Sequence, residues 1–157
     1  MTVLQTVFIG LDSNLGDRRR YIEKAIAELK RSGGIEVVKV SKLYETEPAG
    51  GPPQGKYLDG VAEIMTTLTP RALLAILKEI EKKVGRTPSD IRWGPREIDL
   101  DILLFGDLAV DEPDLKIPHP LLHLRDFMLE PICEIAPEVI HPVLKKRVGD
   151  ILFELKK

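Results

Sequence analysis

Cys133 is the only cysteine among 157 residues, so neither an intrachain disulfide nor a cysteine-built zinc site can form, and a reducing, cytoplasmic setting is expected. Aromatic residues are scarce at 5%, with a single tryptophan, so each aromatic beside a polar loop carries weight. No apolar run approaches the length of a membrane span, and no positive residue precedes Arg18. Neither a membrane helix nor a secretory signal is therefore expected. A charge excess is lacking too. Lys+Arg 23 against Asp+Glu 25 leaves a net -2, which excludes a bulk-basic nucleic-acid binder but leaves room for a local basic patch. What remains, 43% hydrophobic residues in a chain of this length, fits one globular domain over 1–157 with one sizeable core.

The periodicities predict an α+β chain. Val3 to Leu11 is β-branched and apolar and reads as a buried strand, broken by Asp12-Ser13-Asn14-Leu15-Gly16-Asp17. A helix is predicted over 18–32, with Asp17 as N-cap and Ile22, Ala25, Ile26 and Leu29 at helical spacing before Gly33-Gly34. Ile35 to Tyr44 reads as a second strand, Pro48 to Gly55 as a Pro/Gly loop, and Tyr57 to Thr67 as a third strand. Thr69-Pro70 opens a second helix lined by Leu73, Leu77, Ile80 and Val84, and Gly85 ends it. Ile98 to Phe105 is the fourth strand, and short helices are expected near 126–135 and 148–155. The order β-α-β-β-α-β is the ferredoxin-like arrangement: an antiparallel sheet with helices on one face, here with a C-terminal extension. That fold hosts many activities, so function must come from the site.

The chemistry concentrates in Gly85 to Ile102. On a strand, residues i and i+2 share a face about 7 Å apart, so Asp99 and Asp101 can converge on shared cations while Ile98, Leu100, Ile102 and Leu104 take the opposite, apolar face. Oxygen ligands with no neighbouring Cys or His pair suit Mg²⁺ better than zinc. Arg86, Arg92 and Arg96 lie just upstream. Guanidinium groups hold phosphate oxygens bidentately, and a carboxylate pair beside them is what metal-assisted phosphoryl transfer needs. The bland alternative is a solvated loop whose arginines pair with Asp90, Glu97 or the strand aspartates. Trp93 beside Gly94-Pro95 either gates a pocket or caps the sheet edge.

Two further clusters bracket this one. His119, between Pro118 and Pro120, has a restricted backbone that could present a donor to phosphate, and Arg125 and Phe127 could offer a cation and an aromatic face to one ligand. Tyr44 to Gly50, followed by Tyr57-Leu58-Asp59, could recognise a flat heterocycle through the backbone groups of the Pro/Gly loop, with Tyr57 stacking on its face.

Four segments taken in order, Leu11 to Asp17, Tyr44 to Pro48, Arg92 to Leu103 and Pro118-His119-Pro120, closely resemble the 6-hydroxymethyl-7,8-dihydropterin pyrophosphokinase family of folate biosynthesis. The Arg-Trp-Gly-Pro-Arg-x-x-Asp-x-Asp run of 92–101 is highly specific, and the likeness extends over about residues 7–155. The resemblance implies a monomer that transfers pyrophosphate from ATP to a pterin alcohol, with two Mg²⁺ ions held by Asp99 and Asp101. It implies a pterin between Tyr57 and Phe127, contacted by Thr46, the backbone near Ala49 and position 59, and ATP held by Glu81, Arg86, Arg92, Arg96, Ile102, His119 and Arg125. Loops at about 12–17, 48–56 and 85–96 would close over the reactants, Trp93 moving with the last.

The chain departs from that pattern in three places. Asp59 stands where the family usually has Asn, Pro88 where many members have a second loop arginine, and Asp12 where Gly is common. A carboxylate accepts hydrogen bonds but donates none, so Asp59 is expected to alter pterin affinity, and Asp12 to change the first loop's backbone. Of the competing readings, an RNA-recognition module is disfavoured because Tyr57 to Glu63 lacks the basic-Gly-aromatic signature. A metal-dependent hydrolase would need no pterin pocket. A degenerate member is opposed by the intact Arg92, Arg96, Asp99 and Asp101.

Overall fold

The computed structural model describes residues 3–89 and 91–157. Its centre is a five-stranded antiparallel sheet. The first strand, β1 (Gln5–Ser13), pairs on one side with β4 (Tyr57–Thr66) and on the other with β5 (Asp99–Phe105). The outer edge of β4 carries β2 (Ile35–Val40) and β3 (Tyr44–Thr46) end to end, so the order is β2-β4-β1-β5 with β3 continuing the β2 edge. That is the ferredoxin-like order.

Strand β1 runs two residues past its predicted end because Asp12 and Ser13 are paired to Asp59 and Leu58, and Asp12 also faces Asp99. Pairing on both sides holds polar residues in a strand that their propensity would break. The second predicted strand is instead two. Between them Ser41 donates its backbone N–H to Val61 (2.9 Å), and its hydroxyl accepts the Val61 N–H at 2.9 Å. The side chain thus replaces a ladder bond where the register jumps.

The two long helices follow their sequence signals. Helix α1 (Arg18–Arg31) is capped by Asp17, whose carboxylate accepts the Arg20 N–H, and α2 (Pro70–Val84) by Thr69, whose hydroxyl accepts the Ala72 N–H. Ile22, Ala25 and Leu29 of α1 and Leu73, Leu77, Ile80 and Val84 of α2 pack on Val7, Ile9, Leu11, Ala62, Ile64, Leu100 and Ile102. The helices do not stay on one face, however. Helices α3 (Asp126–Ile135) and α4 (Val148–Leu155) cover the other face, where Leu129, Ile132, Val148 and Ile151 pack against Phe8, Val61, Leu103 and Leu104. Two apolar faces explain the runs of consecutive hydrophobic residues in β1 and β5.

Leu104 does not share the face of Leu100 and Ile102, as simple alternation predicts. Phe8 pairs with Leu104 but Ile9 pairs with Ile102, which leaves Leu103 as a surplus residue. The bulge places both Leu103 and Leu104 in the α3/α4 core and returns Phe105 to the other. Short hairpins that the periodicity does not reveal are β6 (Val110–Glu112) with β7 (Leu115–Ile117) and β8 (Ile140–His141) with β9 (Lys146–Arg147). Among the described residues no helix is long and apolar enough to cross a membrane.

Candidate active site

The α3/α4 core stops short of one end of the sheet. There, on the same face, β4 presents Tyr57 and Asp59, β1 presents Asp12, and β5 presents Asp99 and Asp101. The register sets Asp12 directly between Asp59 and Asp99. Carboxylate oxygens of Asp12, Asp99 and Asp101 lie within 4.8 Å of one another. Burial and then the neighbouring Asp59 carboxylate push the Asp12 carboxyl well above the usual carboxylate range, and burial and then Asp99 do the same to Asp101. Asp59 itself is buried and accepts a hydrogen bond from the Thr46 hydroxyl. Burial raises its pKa, while the hydrogen bond from Thr46 opposes that rise.

Arginines face these acids. Arg86 Nη1 lies 2.8 Å from Glu81 and 3.3 Å from Asp99. Glu81 is buried, and its second oxygen accepts the Leu100 N–H at 2.8 Å, a donor on the side of β5 away from β1. Burial pushes the Glu81 carboxyl up, and the Leu100 N–H partly offsets this. Arg125 sits 5.5 Å above the ring of Phe127. His119 follows the cis Ile117–Pro118 bond, and its Nδ1 accepts the Leu121 N–H at 3.1 Å. Burial and the Arg125 charge lower its pKa, against a smaller pull from Asp99, so its imidazole is neutral at pH 7.

All of these acidic, basic and aromatic side chains except Glu81 line one cavity of about 280 Å³, Asp12 among them. Asp59, Thr46, Ala49, Tyr57 and Phe127 lie around it with Arg86, Trp93, Arg96, Asp99, Asp101, His119 and Arg125. The Tyr57 phenol is pushed up to about 12, by burial first and then by Asp99 and Asp12. A second cavity of similar volume opens beside β5, lined by Leu74, Lys78, Leu100, Ile102 and Lys116. Asp101 and His119 line both cavities. Of the predicted site residues, Arg92 and Glu81 line neither: Arg92 is exposed and lies 4.5 Å over the Trp93 ring, and Glu81 is buried and paired with Arg86. Asp90, one proposed carboxylate partner for the loop arginines, lies outside the described residues. Glu97 is not free for an arginine either, since it accepts the Thr87 N–H and hydroxyl.

Three loops meet above the first cavity. Asn14 Nδ2 donates to Gln54 Oε1 at 2.7 Å and to the Gly55 carbonyl, and Asn14 Oδ1 accepts the Arg96 N–H at 2.9 Å. Gln54 Nε2 donates to the Trp93 carbonyl at 2.8 Å. A side chain on Gly51, whose φ is +79°, would collide with that same carbonyl. Trp93 has φ 57° and is exposed, so it opens onto the cavity mouth and does not cap the sheet. The Arg96 guanidinium is held by the Pro95 and Ile91 carbonyls.

The reading of residues in order misses Asp12, Leu74, Lys78 and Lys116. Lys78 had a signal, one helical turn before Glu81 and 3.7 Å from it. Asp12 is two residues beyond Gly10 on the face of Phe8, but its role appears only through pairing with Asp99.

Acidic oxygens opposed by arginines and a neutral imidazole, with an aromatic pair at the far wall, define a phosphoryl-group transferase site. The oxygen-only donor set of Asp12, Asp99 and Asp101 fits a hard divalent cation such as Mg²⁺. The chain belongs to the 7,8-dihydro-6-hydroxymethylpterin-pyrophosphokinase (HPPK) family, whose sequence model matches residues 8–137. It is 46% identical over 143 residues to the 2-amino-4-hydroxy-6-hydroxymethyldihydropteridine pyrophosphokinase of Aquifex aeolicus, covering 91% of this chain and 88% of that one. It is 43% identical over 132 residues to the enzyme of that name from Bacillus subtilis, covering 84% and 78%. The Plasmodium falciparum HPPK-DHPS solved with pteroate superposes with a TM-score of 0.76 at 15% identity, over 98% of this chain and 43% of that one. This chain thus spans less than half of that solved chain, and at such identity the likeness concerns the fold.

Proposed function

We propose that the protein transfers the pyrophosphoryl group of ATP to the hydroxymethyl oxygen of 6-hydroxymethyl-7,8-dihydropterin, giving AMP and the pterin diphosphate in folate biosynthesis. The observation that carries this reading is one cavity in which Asp99 and Asp101 face Arg86, Arg96 and Arg125 while Tyr57 and Phe127 offer aromatic rings. The names of the relatives support the choice of substrate.

In this reading Tyr57 and Phe127 hold the pterin ring between them. The Asp59 carboxylate accepts from its amino edge, with Thr46 and the Ala49 backbone beside it and Trp93 at the mouth. Leu74 and Ile102 give the adenine an apolar seat, with Lys78 and Lys116 at its rim. Arg86, Arg96, Arg125 and His119 bind phosphate oxygens, with Arg92 joining them when the loops close. Glu81 positions Arg86 through their 2.8 Å ion pair. Asp99 and Asp101 would hold two Mg²⁺ ions, which when bound neutralise polyphosphate charge. The pterin hydroxyl oxygen forms a bond to the β-phosphorus and gives up its proton to solvent, the bond from that phosphorus to the α,β-bridging oxygen breaks in line, and AMP departs. Positioning and charge neutralisation supply the acceleration, with no covalent enzyme intermediate. The protein works as a single-domain monomer in the cytoplasm, with neither nucleic acid nor membrane as partner.

Identifying the nucleotide product from ATP, Mg²⁺ and the pterin tests this. Pterin-dependent AMP is expected; ADP, or phosphate released without pterin, would reject pyrophosphoryl transfer. Asp101→Asn should lower the rate by about a hundredfold or more, the scale of losing one electrostatic stabiliser.

A further inference from the structure

Asp12 has no place in the two-aspartate pattern, yet it stands at the centre of the acidic row. Strands β1 and β5 pair it face to face with Asp99 and place Gly10 opposite Asp101. A carboxylate at Gly10 would be the nearer neighbour of Asp101; with none there, the Asp12 carboxylate reaches over to complete a set of three within 4.8 Å. Like charges facing each other across strands destabilise a sheet. The protein itself supplies little relief. Among the described residues the only salt bridge to this set is Arg86 to Asp99 at 3.3 Å, and Arg86 is more closely engaged by Glu81 at 2.8 Å. Neither Asp12 nor Asp101 has an ion-pair partner among them. The family-common glycine would remove the third charge at only the small backbone-entropy cost of a glycine in a strand, so the presence of Asp12 points to a counter-charge that comes from outside. Three hard oxygen donors from two strands, half-buried and converging, are a ligand set for one divalent cation.

We propose that Asp12 is a third cation ligand, contributed by β1, and that it lets the site take up a divalent cation before any nucleotide arrives. The proposal rests on the pyrophosphokinase reading of the same site. With only two carboxylates, most of a Mg²⁺ ion's shell must come from water and phosphate oxygens, so the cation enters with its nucleotide. With three, the empty protein holds it.

The test is a titration of the nucleotide-free protein with Mn²⁺, following free Mn²⁺ by electron paramagnetic resonance. One ion per chain should bind, and Asp12→Asn should weaken binding by about tenfold or more, the factor expected for 1.4 kcal/mol. Equal affinity in both proteins, or no uptake by the parent, overturns the proposal. Thermal unfolding guards against a merely structural effect. In EDTA, Asp12→Asn should unfold no earlier than the parent, because a repulsive charge has gone, and on adding Mg²⁺ it should gain less. A variant that is less stable in EDTA, or that gains as much from Mg²⁺, overturns the proposal as well. Pterin-dependent AMP formation by the parent is measured alongside. AMP with Asp12-independent Mn²⁺ binding would sink this proposal and leave the pyrophosphokinase reading standing; Asp12-dependent Mn²⁺ binding without AMP would do the reverse.

Discussion

Glu81 illustrates how much one buried carboxylate can organise. It receives the Leu100 N–H on one oxygen and Arg86 on the other, and so ties α2 to β5 and to the first turn of the arginine loop. Glu81→Ala leaves the Leu100 N–H without its acceptor, and a loss of about 1–3 kcal/mol is expected from urea unfolding. Glu81→Gln retains the acceptor and should keep most of that stability; equal losses would mean that the hydrogen bond is not what matters. Asp59 is a second case. Thr46 occupies one of its oxygens, and the other faces the cavity. Asp59→Asn keeps one acceptor oxygen where two are needed, so pterin affinity should fall about tenfold by calorimetry. An unchanged affinity would show that the ligand does not use this carboxylate. At this scale Asp99 and Asp101 were legible, because period two on a strand is a local rule. Asp12 was not, because its neighbours, Asp59 and Asp99, are set by pairing with two strands distant in sequence. Glu81 could be named only through family resemblance, since an acid at the end of an amphipathic helix looks like a solvated one.

The loops gain their shape from one another. The Asn14 and Gln54 amides lace the loops after β1, before β4 and before β5 into a single cover, and Gly51 lets the second lie against the third. Gly51→Ala places a methyl group against the Trp93 carbonyl and forces a positive φ on alanine, about 1–2 kcal/mol of backbone cost. The strain falls on the cover and not on either core, so KM for the pterin should rise several-fold with little change in Tm. A falling Tm at constant KM would contradict this. Helix boundaries were legible here almost to the residue, because caps and glycines are local chemistry. The split of the second strand at Ser41 and the two hairpins were not, since strands of two or three residues carry no periodicity.

Across the whole molecule, the C-terminal extension turns a sheet with one covered face into one with two. His141 anchors part of that extension. It is buried, and its Nδ1 accepts the Val143 and Leu144 N–H groups at 3.3 and 3.1 Å, which requires an unprotonated nitrogen. Burial and then the nearby His123 lower its pKa. A histidine lowered on folding is protonated first in the unfolded chain, so stability should fall as pH drops below about 6.5. The raised carboxyls of Asp12, Asp59, Glu81 and Asp101 act in the opposite sense, but they are common to the parent and to a His141 variant, so comparing the two isolates the histidine. His141→Gln should flatten the acid-side slope, and an unchanged slope would assign it elsewhere. The fold class was legible from element order, but the second core was not, because nothing local says which face a terminal helix will choose.

The surplus residue in β5 ties these scales together. Leu103 divides the strand into two stretches of opposite parity: one turns Asp99 and Asp101 to the cavity, and the other gives two successive leucines to the distal core. Change in length is therefore unequally tolerated along seven residues. A residue added between Asp99 and Asp101 would send one carboxylate into the α1/α2 core, whereas one added after Leu103 would only exchange the apolar side chains of Leu104 and Phe105 between cores. The strand keeps its acidic half in step and absorbs mismatch in its other half.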